Sequence, residues 1–134
     1  MDKKTNAKLM GIAEDVLNAP NCTLFKSKDT IFDSYNGQIA SFGVSILTIG
    51  LKPTISVFYQ DAPKQEGHNN EAYRRCILDV IAKMLTQYRS DEYHFSNAAD
   101  LCRAVIEVDS KVKASDVINC SIALKEIVRT YNLG

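Results

Sequence analysis

The chemistry-bearing residues of this chain are few and poorly grouped. Its two histidines, His68 and His94, sit in the polar stretches DAPKQEGHNN and RSDEYHFS. A general acid, general base or metal ligand needs convergent partners, so both read as solvated loop histidines. The cysteines are Cys22, Cys76, Cys102 and Cys120, with no CxxC pair among them. That spacing suits zinc poorly and predicts reduced, mostly buried thiols acting as small hydrophobes. Cys22, in APNCTLFK, is the one cysteine with a lysine nearby and no clear helix around it. It lacks the histidine that a nucleophilic thiol needs. The adjacent carboxylates Glu14-Asp15 and Asp91-Glu92 point to different sides of a helix. No Gly-rich phosphate loop, HExxH or GxSxG is present. The expectation is a protein without catalytic residues, metal or cofactor.

Basic side chains remain. Arg74-Arg75 opens a long helix, Lys26 and Lys28 flank Ser27, and Lys111 and Lys113 precede the last helix. Lys125 and Arg129 stand one helical turn apart, with Tyr131 close by. Singly, each reads as a solubilising charge. Together they can line a phosphate track, because an arginine fork matches phosphate oxygens. The pattern alone does not put them on one face. Sixteen Lys and Arg balance sixteen Asp and Glu, so composition favours neither a nucleic-acid nor a membrane partner. No run of eighteen apolar residues appears. The start, MDKKTNAKLM, lacks the apolar region of a signal peptide, so a cytoplasmic location is the default expectation.

The elements that must position these residues read as helices. A chain of 134 residues with 46% apolar content suits one domain with a self-sufficient core. Leu9, Ile12, Ala13, Val16 and Leu17 predict a helix over about 4–18, stopped by Pro20. Residues 20–34 have no clean period and read as a connection with a short turn of helix. Residues 61–70 read as a loop. Tyr73, Ile77, Val80, Ile81, Met84, Leu85 and Tyr88 predict a helix over about 70–88, with Arg75, Asp79 and Lys83 on a solvated face. Ser96 is the expected cap of a helix running to about Val108, with Ala98, Leu101, Cys102, Val105 and Ile106 inward. A last helix over about 114–132 carries Val117, Cys120, Leu124, Ile127 and Tyr131 in one stripe. Ile118, Ile122 and Val128 widen that stripe, which predicts a central or interfacial helix.

The stretch SFGVSILTIGLKPTISVFY, residues 41–59, is the ambiguous one. Val44, Ile46, Ile49, Ile55 and Val57 suit a β-hairpin. Tyr35, Ile39, Phe42, Ile46 and Ile49, however, hold helical spacing for longer than a strand usually runs. Gly50 falls at the left-handed end position of such a helix, with Ile46 and Leu51 as the packing pair of a Schellman motif. Pro53 then opens a second helix, with Lys52 as a weak cap. Pattern favours two helices meeting at a glycine corner. The whole chain thus reads as all-α: a compact, single-domain bundle of about six helices.

Several of these residues also resemble a family signature. SYNGQIASFGVSILTIGLKPTISVFY is similar to the small helical subunit of the type III-B CRISPR RNA-silencing complex, the Cmr complex. The matching residues are Tyr35, Gly37, Ser41-Phe42-Gly43, Gly50-Leu51, Pro53, Ile55 and Phe58. RRCILDVIAKML resembles the family's long middle helix, and IALKEIVRTYNL its last helix. The matching parts cover about half the chain. Thr48-Ile49 and Lys52 depart from the pattern, where a polar pair and an apolar residue stand in the family.

The resemblance implies an all-α fold and a non-catalytic role. Such subunits stack head to tail with copies of themselves inside the effector complex, against its other subunits. They hold the guide RNA–target RNA duplex through phosphate contacts. Arg74, Arg75, Lys125 and Arg129, with Lys52 weaker, are the expected RNA-backbone contacts, and the process is antiviral defence. Three rivals stand beside this reading. One is a helical protein–protein adaptor that never meets nucleic acid. Another is a small all-α enzyme, which needs a pocket with converging polar groups. The third is a helix-turn-helix regulator, for which PTISVFYQ is too apolar a recognition helix.

Overall fold

The computed structural model describes residues 1–62 and 72–134. His68, the expected helix start near Asn70 and most of the expected 61–70 loop lie outside the described residues. Six helices form among the described residues: α1 (Lys3–Leu17), α2 (Ser34–Ile49), α3 (Leu51–Gln60), α4 (Arg75–Tyr88), α5 (Ala98–Ile106) and α6 (Ala114–Val128). A small sheet of β1 (Phe25–Ser27), β2 (Thr30–Ile31) and β3 (Asn132–Leu133) accompanies them. The architecture is a helical bundle around one core, and α6 runs through its middle, packed on α1 and α2.

The helical stripes account for the packing. Leu9, Ala13, Val16 and Leu17 of α1, and Ile77, Val80, Ile81, Met84 and Leu85 of α4, are buried at the expected spacings. Val117, Cys120, Leu124 and Ile127 bury the α6 stripe. Fully burying one such aliphatic side chain stabilises by about 1.5–3 kcal/mol. Asp2 caps α1 by accepting the Thr5 N–H at 2.7 Å.

The 41–59 stretch is two helices. Gly50 has φ +98° and is the sole residue between α2 and α3. Its N–H closes α2 on the Ile46 carbonyl at 3.0 Å, a single 5→1 bond. Its carbonyl accepts the Thr54 hydroxyl at 2.8 Å, and Thr54 Oγ1 lies 2.8 Å from Ser45 Oγ. Phe42 and Phe58 pack across the corner with ring centroids 4.9 Å apart. The helix start differs from expectation: Gly50, not Lys52, is the cap, and Pro53 falls in the first turn of α3, where its missing N–H has no helical partner to lose.

Other boundaries shift for identifiable reasons. Asn97, not Ser96, caps α5 by accepting the Asp100 N–H at 2.9 Å, while Asp100 accepts the Ser96 N–H at 2.9 Å. Asp79 is not on a solvated face; it accepts the Ala98 N–H at 2.6 Å and so ties α4 to the start of α5. α5 ends at Ile106, which is exposed, as is Ile49 at the end of α2. Only Cys120 is fully buried; Cys22, Cys76 and Cys102 are half-buried free thiols. The sheet has no sequence period because its strands are two or three residues long. β1 pairs antiparallel with β2, and β2 pairs parallel with β3 from beyond α6. That last pairing takes Tyr131 off the expected helix and sets its ring edge-on to Phe25, centroids 5.4 Å apart.

These links give the bundle two poles. The buried Tyr35 phenol, in the first turn of α2, donates to the Tyr73 carbonyl and accepts the Tyr73 N–H, both at 3.0 Å. The Asp33 N–H donates to the Gly134 carbonyl at 3.1 Å. The starts of α2 and α4, the end of α6 and the sheet therefore share one pole. The Gly50 corner lies at the other.

Replacing Gly50 by alanine places a Cβ where φ and ψ favour glycine. The expected cost is about 1–3 kcal/mol, read as a lower urea midpoint with an unchanged m-value.

Candidate nucleic-acid interface

Arg74 and Arg75 are held by the end of α3. The Arg74 N–H and Nε donate to Asp61 Oδ2 at 2.9 and 3.2 Å, and its guanidinium lies 5.2 Å from the Phe58 ring centroid. Arg75 Nε donates to the Tyr59 carbonyl, and its guanidinium lies 3.8 Å from the Tyr59 ring centroid. The Arg75 N–H bonds the Asp61 carbonyl at 3.1 Å. Two neighbouring guanidiniums thus clasp one helix end. Each uses Nε in that clasp, which fixes the plane of the fork.

Arg129 caps α6 and is exposed at the same pole. Lys125, one turn earlier, is half-buried and lines a shallow groove between α2 and α6 with Ala40, Gly43 and Ile122. Lys26, in β1, and Lys28, in the turn after it, are exposed at that pole too. The fold therefore brings Arg74, Arg75 and Arg129 to one end of the bundle, a grouping that spacing alone did not give.

Lys52, Lys111 and Lys113 lie elsewhere. Lys52 Nζ donates to the Glu107 carbonyl at 3.2 Å, beyond the end of α5. Lys111 and Lys113 line a cavity of about 870 Å³ at the Gly50 pole, together with Asp91, Glu92, Glu107 and Asp109. Four carboxylates beside two ammonium groups make that cavity a poor seat for a phosphate chain.

Behind the cavity is a polar network that the sequence reading missed. Asp116 is 3% exposed; its Oδ2 accepts the Tyr93 hydroxyl at 2.7 Å and Arg89 Nε at 3.1 Å. The Tyr93 oxygen accepts the Lys113 N–H at 3.1 Å. The available signal was Asp116 itself, one turn before Cys120 on the apolar stripe of α6: a carboxylate there must find partners. Burial away from water, reinforced by Asp116, pushes the Tyr93 phenol up to about 12.

Nucleophilic chemistry finds little support in the thiols. Burial pushes Cys22 up and Cys120 up to about 12, away from the thiolate. His94 is exposed, and among the described residues no three His, Cys, Asp or Glu side chains converge as metal ligands. Among the described residues, no helix is long and apolar enough to cross a membrane. No protein-family model, curated protein or solved structure matches this chain.

Arg75→Gln is expected to lower stability by about 1–2 kcal/mol, because glutamine supplies neither the ring stacking nor the bond to the Tyr59 carbonyl. Arg129→Gln stays within about 0.5 kcal/mol; parallel urea melts separate the two. The buried Tyr93 phenol favours the folded state while it is neutral. Its contribution is intact below about pH 10 and is lost as pH rises through about 12. Tyr93→Phe flattens that part of the alkaline stability profile.

Proposed function

We propose that this chain is a non-catalytic small subunit of a type III-B CRISPR (Cmr) RNA-guided effector complex. In that role it stacks with copies of itself and with other subunits, and it holds the guide RNA–target RNA duplex by its phosphates. The observation that carries the reading is the structural use of the signature residues. Tyr35 fixes the start of α4, Phe42 and Phe58 pack across the turn, Gly43 lets α6 approach α2, and Gly50 makes the corner. Of the residues that carry the resemblance, Tyr35, Phe42, Gly43, Gly50 and Phe58 thus have structural work in this fold, while Gly37 and Ser41 are exposed. The departures at Thr48-Ile49 and Lys52 fall on exposed positions.

Phosphate contacts of this kind give salt-dependent, sequence-independent affinity. With no net charge, the isolated chain is expected to bind RNA feebly. Repeated copies along one duplex supply the avidity. Arg74 and Arg75 offer forks of fixed orientation, and Arg129 and Lys125 extend the cationic surface. A second reading, an adaptor that never meets nucleic acid, is favoured by one observation: Val44 and Leu47 of α2 are 62% and 75% exposed.

The deciding experiment is recovery of the protein from its native cells with any bound RNA sequenced. Guide RNA with larger silencing subunits is the expected result; a protein partner without RNA establishes the adaptor. In the recovered complex, Lys125→Gln with Arg129→Gln should weaken target RNA retention. The salt slope should fall by about 0.7–0.9 for each phosphate that is no longer neutralised. An unchanged slope removes these two residues from the interface.

A further inference from the structure

The exposed face of α2 stands apart from the rest of the surface. Charged residues make up 24% of the chain, yet α2, SYNGQIASFGVSILTI, contains none. Its exposed positions run from small to large: Ser34, Gly37 and Ser41 in the first half, Val44, Leu47, Thr48 and Ile49 in the second. A Cβ built on Gly37 would meet nothing within 4 Å, so the space above it is open. Beside this face lies a groove of about 240 Å³, floored by Gly43 and Ser121 and rimmed by Ala40, Ile118 and Ile122. Ile122 is itself 41% exposed.

A small-to-large gradient along one helix is self-complementary in one arrangement. The geometry points to a two-fold dimer in which α2 of one copy packs antiparallel on α2 of a second copy, centred near Ser41. Leu47 of each copy then sits over Gly37 of the other, and Val44 enters the groove over Ala40. Each knob finds the gap that its own copy provides, which is the requirement of an isologous contact. Exposed apolar side chains on a helix without charges of its own leave water favourably on contact. Charge supports the same arrangement. Lys125, on the groove rim, comes beside the C-terminal turn of the second copy's α2, where carbonyl oxygens form the negative end of the helix dipole. This contact itself involves no RNA; it gives Lys125 to the second copy, where the reading proposed above gives it to phosphate.

Sedimentation velocity on the purified full chain, over a concentration series up to several hundred micromolar, tests it. The expected species at high concentration has twice the 14.9 kDa chain mass. Two variants locate the contact. Leu47→Lys puts a charge on an exposed site, and Gly37→Leu fills the slot. Gly37→Leu also replaces a helix-interior glycine, so its unfolding midpoint should rise while dimerisation is lost; misfolding then cannot explain the loss. A wild-type chain that stays monomeric throughout overturns the proposal, as does a dimer that survives either variant.

Discussion

Everything downstream of α2 depends on one residue turning the chain back without a loop. At Gly50, φ is positive and no linker intervenes, so α3 leaves the end of α2 in a single direction. Thr54 and Ser45 lock that direction by sharing hydroxyl contacts around the Gly50 carbonyl. The far end of α3 then presents Tyr59 and Asp61 where Arg74 and Arg75 can grip them. The grip sets the first turn of α4, and Tyr35 fixes Tyr73, two residues before Arg75. A local backbone constraint is thereby converted into the relative placement of three helices.

The two arginines show how one side chain can serve fold and surface together. Their Nε atoms and ring contacts are spent on the end of α3, and the pair with Asp61 is about one-third exposed on both sides. Exposed pairs of that kind contribute little free energy. What they contribute is orientation: a guanidinium fixed in plane loses less rotamer freedom when it later meets an anion. Arg129, with only its own helix end to stand on, is the freer side chain and the cleaner reporter.

The helices and their inward faces were legible in the sequence because apolar spacing is a local signal. The stripes of α1, α4 and α6 and the glycine corner all follow from residues within one element. What was not legible depends on partners distant in the chain. Asp79 looked solvated because its partner, the Ala98 amide, belongs to another helix. The parallel pairing of Thr30 with Asn132 leaves no trace in either segment. Ile49 and Ile106 obey the helical period yet stay exposed, because period says which face a residue shares and not where the core ends. For the candidate interface, residue types were readable; the grouping of Arg74, Arg75 and Arg129 at one pole, and the separation of Lys52, Lys111 and Lys113 from it, required the fold.

The central position of α6 has a kinetic consequence. Helical bundles usually fold fast because their contacts are local. Here the middle helix packs on α1 and α2, and even a surface contact such as Asn6 with Glu126 spans 120 residues. The core therefore closes only after the chain has brought distant segments together, at a loop-closure entropy that neighbouring-helix bundles avoid. The corner of α2 and α3, joined through Gly50, is the most local of these contacts. The expected order of events is corner first, central helix last, and a folding rate nearer to mixed α/β domains than to simple bundles.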